Sequence, residues 1–172
     1  MTLKRKLLAL MLAGACVALV KPAAAQEAEA ATPPDLIFQM PINNKAKDIM
    51  KIAENVLGAK IALAKKDPAG AISLLRDAVA IQDKLNYGEP PDWFYPVREN
   101  LGGALLMSGD PTAAEKVFRE DLDRNPRNPR SLFGLQQSLL QQKRDYDAGF
   151  VRKQLDASWK GRPQVLKLDD LV

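Results

Sequence analysis

The sequence predicts an all-α protein, an α-solenoid of about three antiparallel helix pairs. Beyond Asn44, apolar residues recur every three or four positions. Clusters of Pro, Gly and Asp cut that pattern into pieces of helix length. The chain also resembles itself at a shift of 34 residues, and no stretch alternates apolar and polar in the manner of a strand.

The N-terminal segment has the three parts of a secretory signal. Lys4, Arg5 and Lys6 are its positive region, residues 7–20 are apolar throughout, and Ala23-Ala24-Ala25 before Gln26 supplies the small-x-small cleavage pattern. As a helix the apolar stretch would measure about 21 Å, short of a ~30 Å hydrocarbon core. Residues 1–25 are therefore expected to be removed, leaving a periplasmic or secreted chain with no stable membrane span. The competing reading anchors the chain by lipid at Cys16, the only cysteine. It is disfavoured because Ala13, not Leu, stands three places before that Cys. The formal charge of +4 comes entirely from Lys4, Arg5, Lys6 and Lys21. The rest is balanced, which argues against electrostatic binding of nucleic acid.

Residues 26–44 read as a flexible linker, Ala/Glu-rich and then Pro-rich, whose apolar Leu36, Ile37, Phe38 and Met40 are expected to cap the first helix. The repeat domain spans 45–160. Its first helix carries Ile49, Ile52, Ala53, Val56 and Leu57, and Asp67-Pro68 ends it and opens the second, marked by Ala71, Ile72, Leu75, Ala78, Val79 and Leu85. Pro90-Pro91 closes that region. A third helix is expected from near Trp93 to Gly109-Asp110, a fourth over 111–123, and two more over about 130–143 and 145–159. Trp159 is expected to pack on the final repeat, and the tail 161–172 to drape Val165, Leu166, Leu168 and Leu171 over the exposed end as a cap.

At the 34-residue shift Leu101 recurs as Leu135, Leu105 as Leu139 and Ala114 as Ala148, and helix breaks fall between them at Gly109-Asp110 and Lys143-Arg144-Asp145. Leu101-Gly102, Leu105, Gly109, Ala114, Phe118 and Pro126 stand in the order and spacing of the tetratricopeptide-repeat family, which the chain resembles over roughly 45–160. The last unit is degenerate, with Lys143 for the Gly and Arg152 for the aromatic; the first is read from Leu57-Gly58, Ala71, Leu75 and Ala78. The resemblance implies a stacked array whose first helices face a partner. It puts Asn55, Ala59, Glu99, Gly103, Leu106, Phe133, Gln137 and Gln141 on that inward surface, with Arg130 at its edge. Glu99 and Gly103 stand where the family's clamp for acidic C-termini has Lys and Asn, so a neutral or basic segment is expected, with Phe133 as anchor and Glu99 reading charge.

Ala71 and Ala114 are 43 apart, so the first and second units are separated by extra residues around 86–96, dense in aromatics and prolines. Two readings of this insertion stay open. Trp93 and Tyr95 either form a recognition loop or pack back onto the helices as a long connection.

Chemistry is conspicuously thin. The chain has no His, which removes His-assisted triads and ordinary zinc sites. Asp121, Asp123 and Asn125 imitate the start of a calcium loop, but Pro126 and Leu132 occupy its Gly and Glu positions. The expectation is a non-catalytic, cofactor-free module that binds another protein or peptide in the bacterial cell envelope, in an accessory or assembly role. The alternative is a small-ligand carrier with an apolar cleft beside the 86–96 loop.

Overall fold

Aspartate, asparagine and proline decide where helices begin in this chain. Asp67, Asp110 and Asn128 each accept a hydrogen bond from a backbone N–H of the first turn that follows (Gly70, Ala113 and Arg130, at 2.9, 3.0 and 3.1 Å), and each precedes a Pro. The side chain satisfies an otherwise orphaned donor, while Pro has no N–H to lose at that position. In the computed structural model, which describes residues 44–159 and 166–172, the helices are α1 Ala46–Ala64, α2 Pro68–Gln82, α3 Val97–Met107, α4 Pro111–Arg124, α5 Pro129–Gln141 and α6 Asp145–Ser158. A 3-10 helix, Leu168–Leu171, follows, and no strand occurs among the described residues. The chain there is all-α. The signal segment, the 26–43 linker with its capping patch, and residues 160–165 lie outside the described residues.

α3 begins at Val97, later than the expected start near Trp93. Pro96 is the reason: it forces Tyr95 away from helical backbone and itself caps the helix in extended conformation.

Each helix packs on the next in the chain, and α3 also packs on α5. The turns joining α1 to α2, α3 to α4 and α5 to α6 share one geometry. Lys66, Gly109 and Lys143 all take left-handed backbone (φ 62°, 84° and 61°). In each turn the next N–H reaches back five residues: Asp67 to the Ala62 carbonyl, Asp110 to Leu105 and Arg144 to Leu139. The self-similarity of the sequence is thus written into the backbone. Left-handed backbone costs a non-Gly residue about 1–2 kcal/mol, partly offset by the unfolded-state entropy that Gly brings. Lys143→Gly should therefore raise stability by about 0.5–1 kcal/mol, read as a higher denaturant midpoint.

The core is built from one stripe per helix. On α1 it is Ile52, Asn55, Val56 and Ala59, spaced three and four apart, so Leu57 points outward and is 60% exposed. This corrects the use of Leu57 as a first-unit landmark, since Leu101 and Leu135 are both buried. Ala71, Ala114 and Ala148 are buried where helices approach closely. Phe118 is fully buried, and its ring lies where a Cβ on Gly102 or on Gly134 would stand, 2.4 and 2.1 Å from its Cζ. One aromatic ring of α4 therefore fills space left by a missing side chain on α3 and another on α5.

The tail does not drape over the end of the array as expected. Its 3-10 helix packs on α3 and α5, in the middle of the chain's fold, and Leu171 is fully buried there. Trp159 is half-buried against the core.

Candidate functional site

Residues of α1, α3 and α5 lie around the tail, and the details of that contact define the site. Asn100 of α3 donates through Nδ2 to the Leu171 carbonyl at 2.8 Å, and Arg130 of α5 donates to the Asp170 carbonyl. Gly103 allows the approach: a Cβ there would lie 2.8 Å from Leu171 Cβ and 3.3 Å from Val172 Cγ1. Val172 shares a narrow crevice with Val56, Ala59, Lys60 and Leu63 of α1. The backbone of the tail is held by side-chain donors and its aliphatic groups by the helices. The acidic side chains of Asp169 and Asp170 face outward. The Asp170 carboxylate accepts the Lys167 N–H at 2.7 Å, closing the 3-10 turn on itself.

Arg130 is positioned by a chain of buried polar groups. Its Nε donates to Glu99 Oε2 at 2.5 Å. Asn128 Nδ2 donates to Glu99 Oε1 (2.8 Å) and to Asp121 Oδ2 (2.9 Å). Asp121, fully buried, also accepts from Ser131 Oγ at 2.5 Å and Asn125 Nδ2 at 2.9 Å. Two of the residues that imitate the start of a calcium loop, Asp121 and Asn125, are therefore engaged in a polar network that links α3, α4 and α5.

Of the residues expected on the inward surface, Asn55, Ala59, Glu99, Gly103, Leu106 and Phe133 are buried. Arg130 and Gln137 are half-buried, and Gln141 is exposed. The structure brings Gly103 and Arg130 together on the tail. It corrects Glu99 most clearly. At 3% exposed and paired with Arg130, that carboxylate cannot read the charge of a partner, and the reason for expecting a basic partner disappears with it. Asn100, the second residue that grips the tail backbone, escaped the sequence reading. It lies beside Glu99 on a helix whose weak amphipathicity gave no sign that both would be buried.

The 86–96 insertion is fastened down. Asn44 donates to the Asn86 carbonyl (3.0 Å) and to Asp92 (2.6 Å), and accepts from the Asn86 N–H (2.8 Å). Gln82 donates to the Tyr95 carbonyl and accepts from the Val97 N–H, both at 2.9 Å. Trp93 and Tyr95 pack against the core, while Phe94, which touches both rings, is 80% exposed. Beside them a cleft of about 280 Å³ is lined by Gln82, Asp83, Trp93, Tyr95, Arg98 and Arg124. Trp93 Nε1 and Arg98 Nε are buried there without a hydrogen-bond partner among the described residues.

That cleft also contains the fold's clearest acid-sensitive contact. Arg98 grips Asp83 with two nitrogens, at 2.5 and 2.8 Å, and Arg124 approaches the same carboxylate at 3.0 Å. The Arg98 hydrogen bond outweighs burial and holds the Asp83 carboxyl below its ordinary 3.8. Burial pushes Glu115 upward, but hydrogen bonds from Gln142, Arg119 and Arg144 more than compensate and leave it below its ordinary 4.5. Groups depressed on folding stabilise above their unfolded pKa, and that contribution is lost as pH falls through the folded value. The melting temperature should be level near neutrality and fall below about pH 4. Asp83→Asn combined with Glu115→Gln should lower the plateau and flatten the acid limb.

No helix among the described residues is long and apolar enough to cross a membrane. The chain matches no family model, no curated protein and no solved structure.

Proposed function

We propose that this chain is a non-catalytic protein- or peptide-binding module of the bacterial cell envelope, a tetratricopeptide-like solenoid of three antiparallel helix pairs in an accessory or assembly role. The observation that carries the reading is the occupied face of α1, α3 and α5. Asn100 and Arg130 both donate to backbone carbonyls of a segment distant in sequence, a mode of contact that holds a polypeptide whatever its side chains. The recurring turn geometry at Lys66, Gly109 and Lys143 supports a repeat array, and the signal-like residues 1–25 support export to the envelope. Gln137 and Gln141 continue the α5 stripe begun by Arg130 and Phe133 and remain accessible for a longer partner segment.

Affinity capture from an envelope extract tests this. The wild-type chain should retain a protein that the Gln137→Arg/Gln141→Arg variant loses and Phe94→Ser keeps. Loss with Phe94→Ser alone would put the working surface on the loop. A second reading, a small-ligand carrier, draws on Trp93 Nε1 beside the cleft, which has no hydrogen-bond partner among the described residues. Under that reading, titration with envelope lipids or metabolites changes Trp93 fluorescence and Trp93→Phe abolishes the response.

A further inference from the structure

The tail is held too specifically to be mere filling, and it leaves the face it occupies incompletely satisfied. Two main-chain carbonyls of the tail are bonded by side chains far away in sequence. Gly103 sits inside α3, where any other residue but Pro would favour the helix, yet a Cβ would strike Leu171. At the same time Asn55 Nδ2 on α1 and Asn100 Oδ1 on α3, each belonging to a side chain more than nine-tenths buried, have no hydrogen-bond partner among the described residues. One is a donor and the other an acceptor, the pair that a peptide backbone complements. Leaving both unmade is costly in a buried place.

We propose that residues 168–172 are a built-in occupant of the partner site, and that the partner enters with a segment of the same chemistry and displaces them. This rests on the peptide-binding reading above. The chemistry is aliphatic side chains spaced as in Leu168, Leu171 and Val172, with acidic side chains between them that stay in water. The site reads backbone through Asn100 and Arg130, takes the aliphatic groups at Gly103 and in the crevice of Val56 and Ala59, and tolerates the acids because Asp169 and Asp170 face outward. Because the tail is tethered beside its own site, it competes at an effective concentration on the order of millimolar. A free segment of equal intrinsic affinity then binds the intact chain only weakly, and anything that loosens the tail strengthens partner binding.

The test uses a fluorescently labelled peptide with the sequence of residues 166–172, and the full chain in three forms. Wild type should bind it weakly. Leu171→Asp, whose own tail cannot seat, should bind at least about tenfold more tightly, the expected consequence of removing a tethered competitor. Adding Gly103→Ala to Leu171→Asp should abolish binding while circular dichroism shows the helices retained, since Ala favours the helix and only the peptide meets the new methyl group. A wild-type chain with a protease site within 160–165, cut after folding, makes the same measurement without a core substitution: cutting should raise affinity for the labelled peptide. Equal affinity in the uncut and cut chains, or a scrambled peptide binding as well as the native order, overturns the proposal. Concentration-dependent dimers of wild type that Leu171→Asp abolishes would identify a second copy as the occupant and overturn a separate partner. If the peptide fails to bind while the cut chain still captures an envelope protein through Gln137 and Gln141, the tail chemistry is wrong and the peptide-binding reading survives.

Discussion

Phe118→Ala should lower the stability of the fold by about 3–5 kcal/mol, measured as the shift in denaturant midpoint at constant slope. The ring is fully buried and takes the space that Gly102 and Gly134 leave free on two different helices. Neither glycine can extend a side chain into the void, so the cavity collapses poorly and the cost lies toward the upper end for a large-to-small change. For a domain with a total stability of about 5–15 kcal/mol, that is a large share. The same geometry fixes the sign of the reverse test. Gly134→Ala would ordinarily strengthen a helix, but here the added Cβ would lie 2.1 Å from Phe118 Cζ, so it should destabilise by about 1–3 kcal/mol.

The second large effect is expected at Asp121. Asp121→Ala should cost about 2–4 kcal/mol, because it strands the buried hydroxyl of Ser131, takes one partner from the half-buried amide of Asn128 and removes a charged acceptor. The loss should also be felt at a distance. Asn128 bridges Asp121 to Glu99, Glu99 orients Arg130, and Arg130 donates to the tail at Asp170. Deuterium exchange over residues 168–172 should therefore quicken in Asp121→Ala more than over α1, which lies outside this chain of contacts. Uniform quickening would mean that the network stabilises the fold without positioning the tail.

Why the helices were legible and the site only partly so follows from the kind of signal each leaves. Helix starts are local. An Asp or Asn followed by Pro specifies a cap and a first turn within a few residues, and the starts of α2, α4 and α5 follow from it. α3 starts at Val97 rather than near Trp93 because Pro96, and not the aromatic run before it, controls where the helix begins. Of the residues expected to face a partner, Gly103 and Arg130 meet the C-terminal tail. That the chain's own tail lies there was not legible. The contact of Asn100 with Leu171 spans 71 positions and leaves no periodic trace. Glu99 looked like an exposed charge for the same reason, because its partners Asn128 and Arg130 arrive from a turn and a helix some thirty residues on. Exposure of Phe94 between two packed neighbours is likewise decided by tertiary packing alone.

The central claim is that partners meet this protein on the face of α1, α3 and α5. The most direct measurement places a photoreactive amino acid at Gln137, on the accessible continuation of that face, or at Phe94, on the aromatic loop, in living cells. Irradiation should give a covalent adduct with a second polypeptide from position 137, stronger when Leu171→Asp is also present, and none from position 94. Adducts from position 94 with none from 137 would contradict the account and assign binding to the loop.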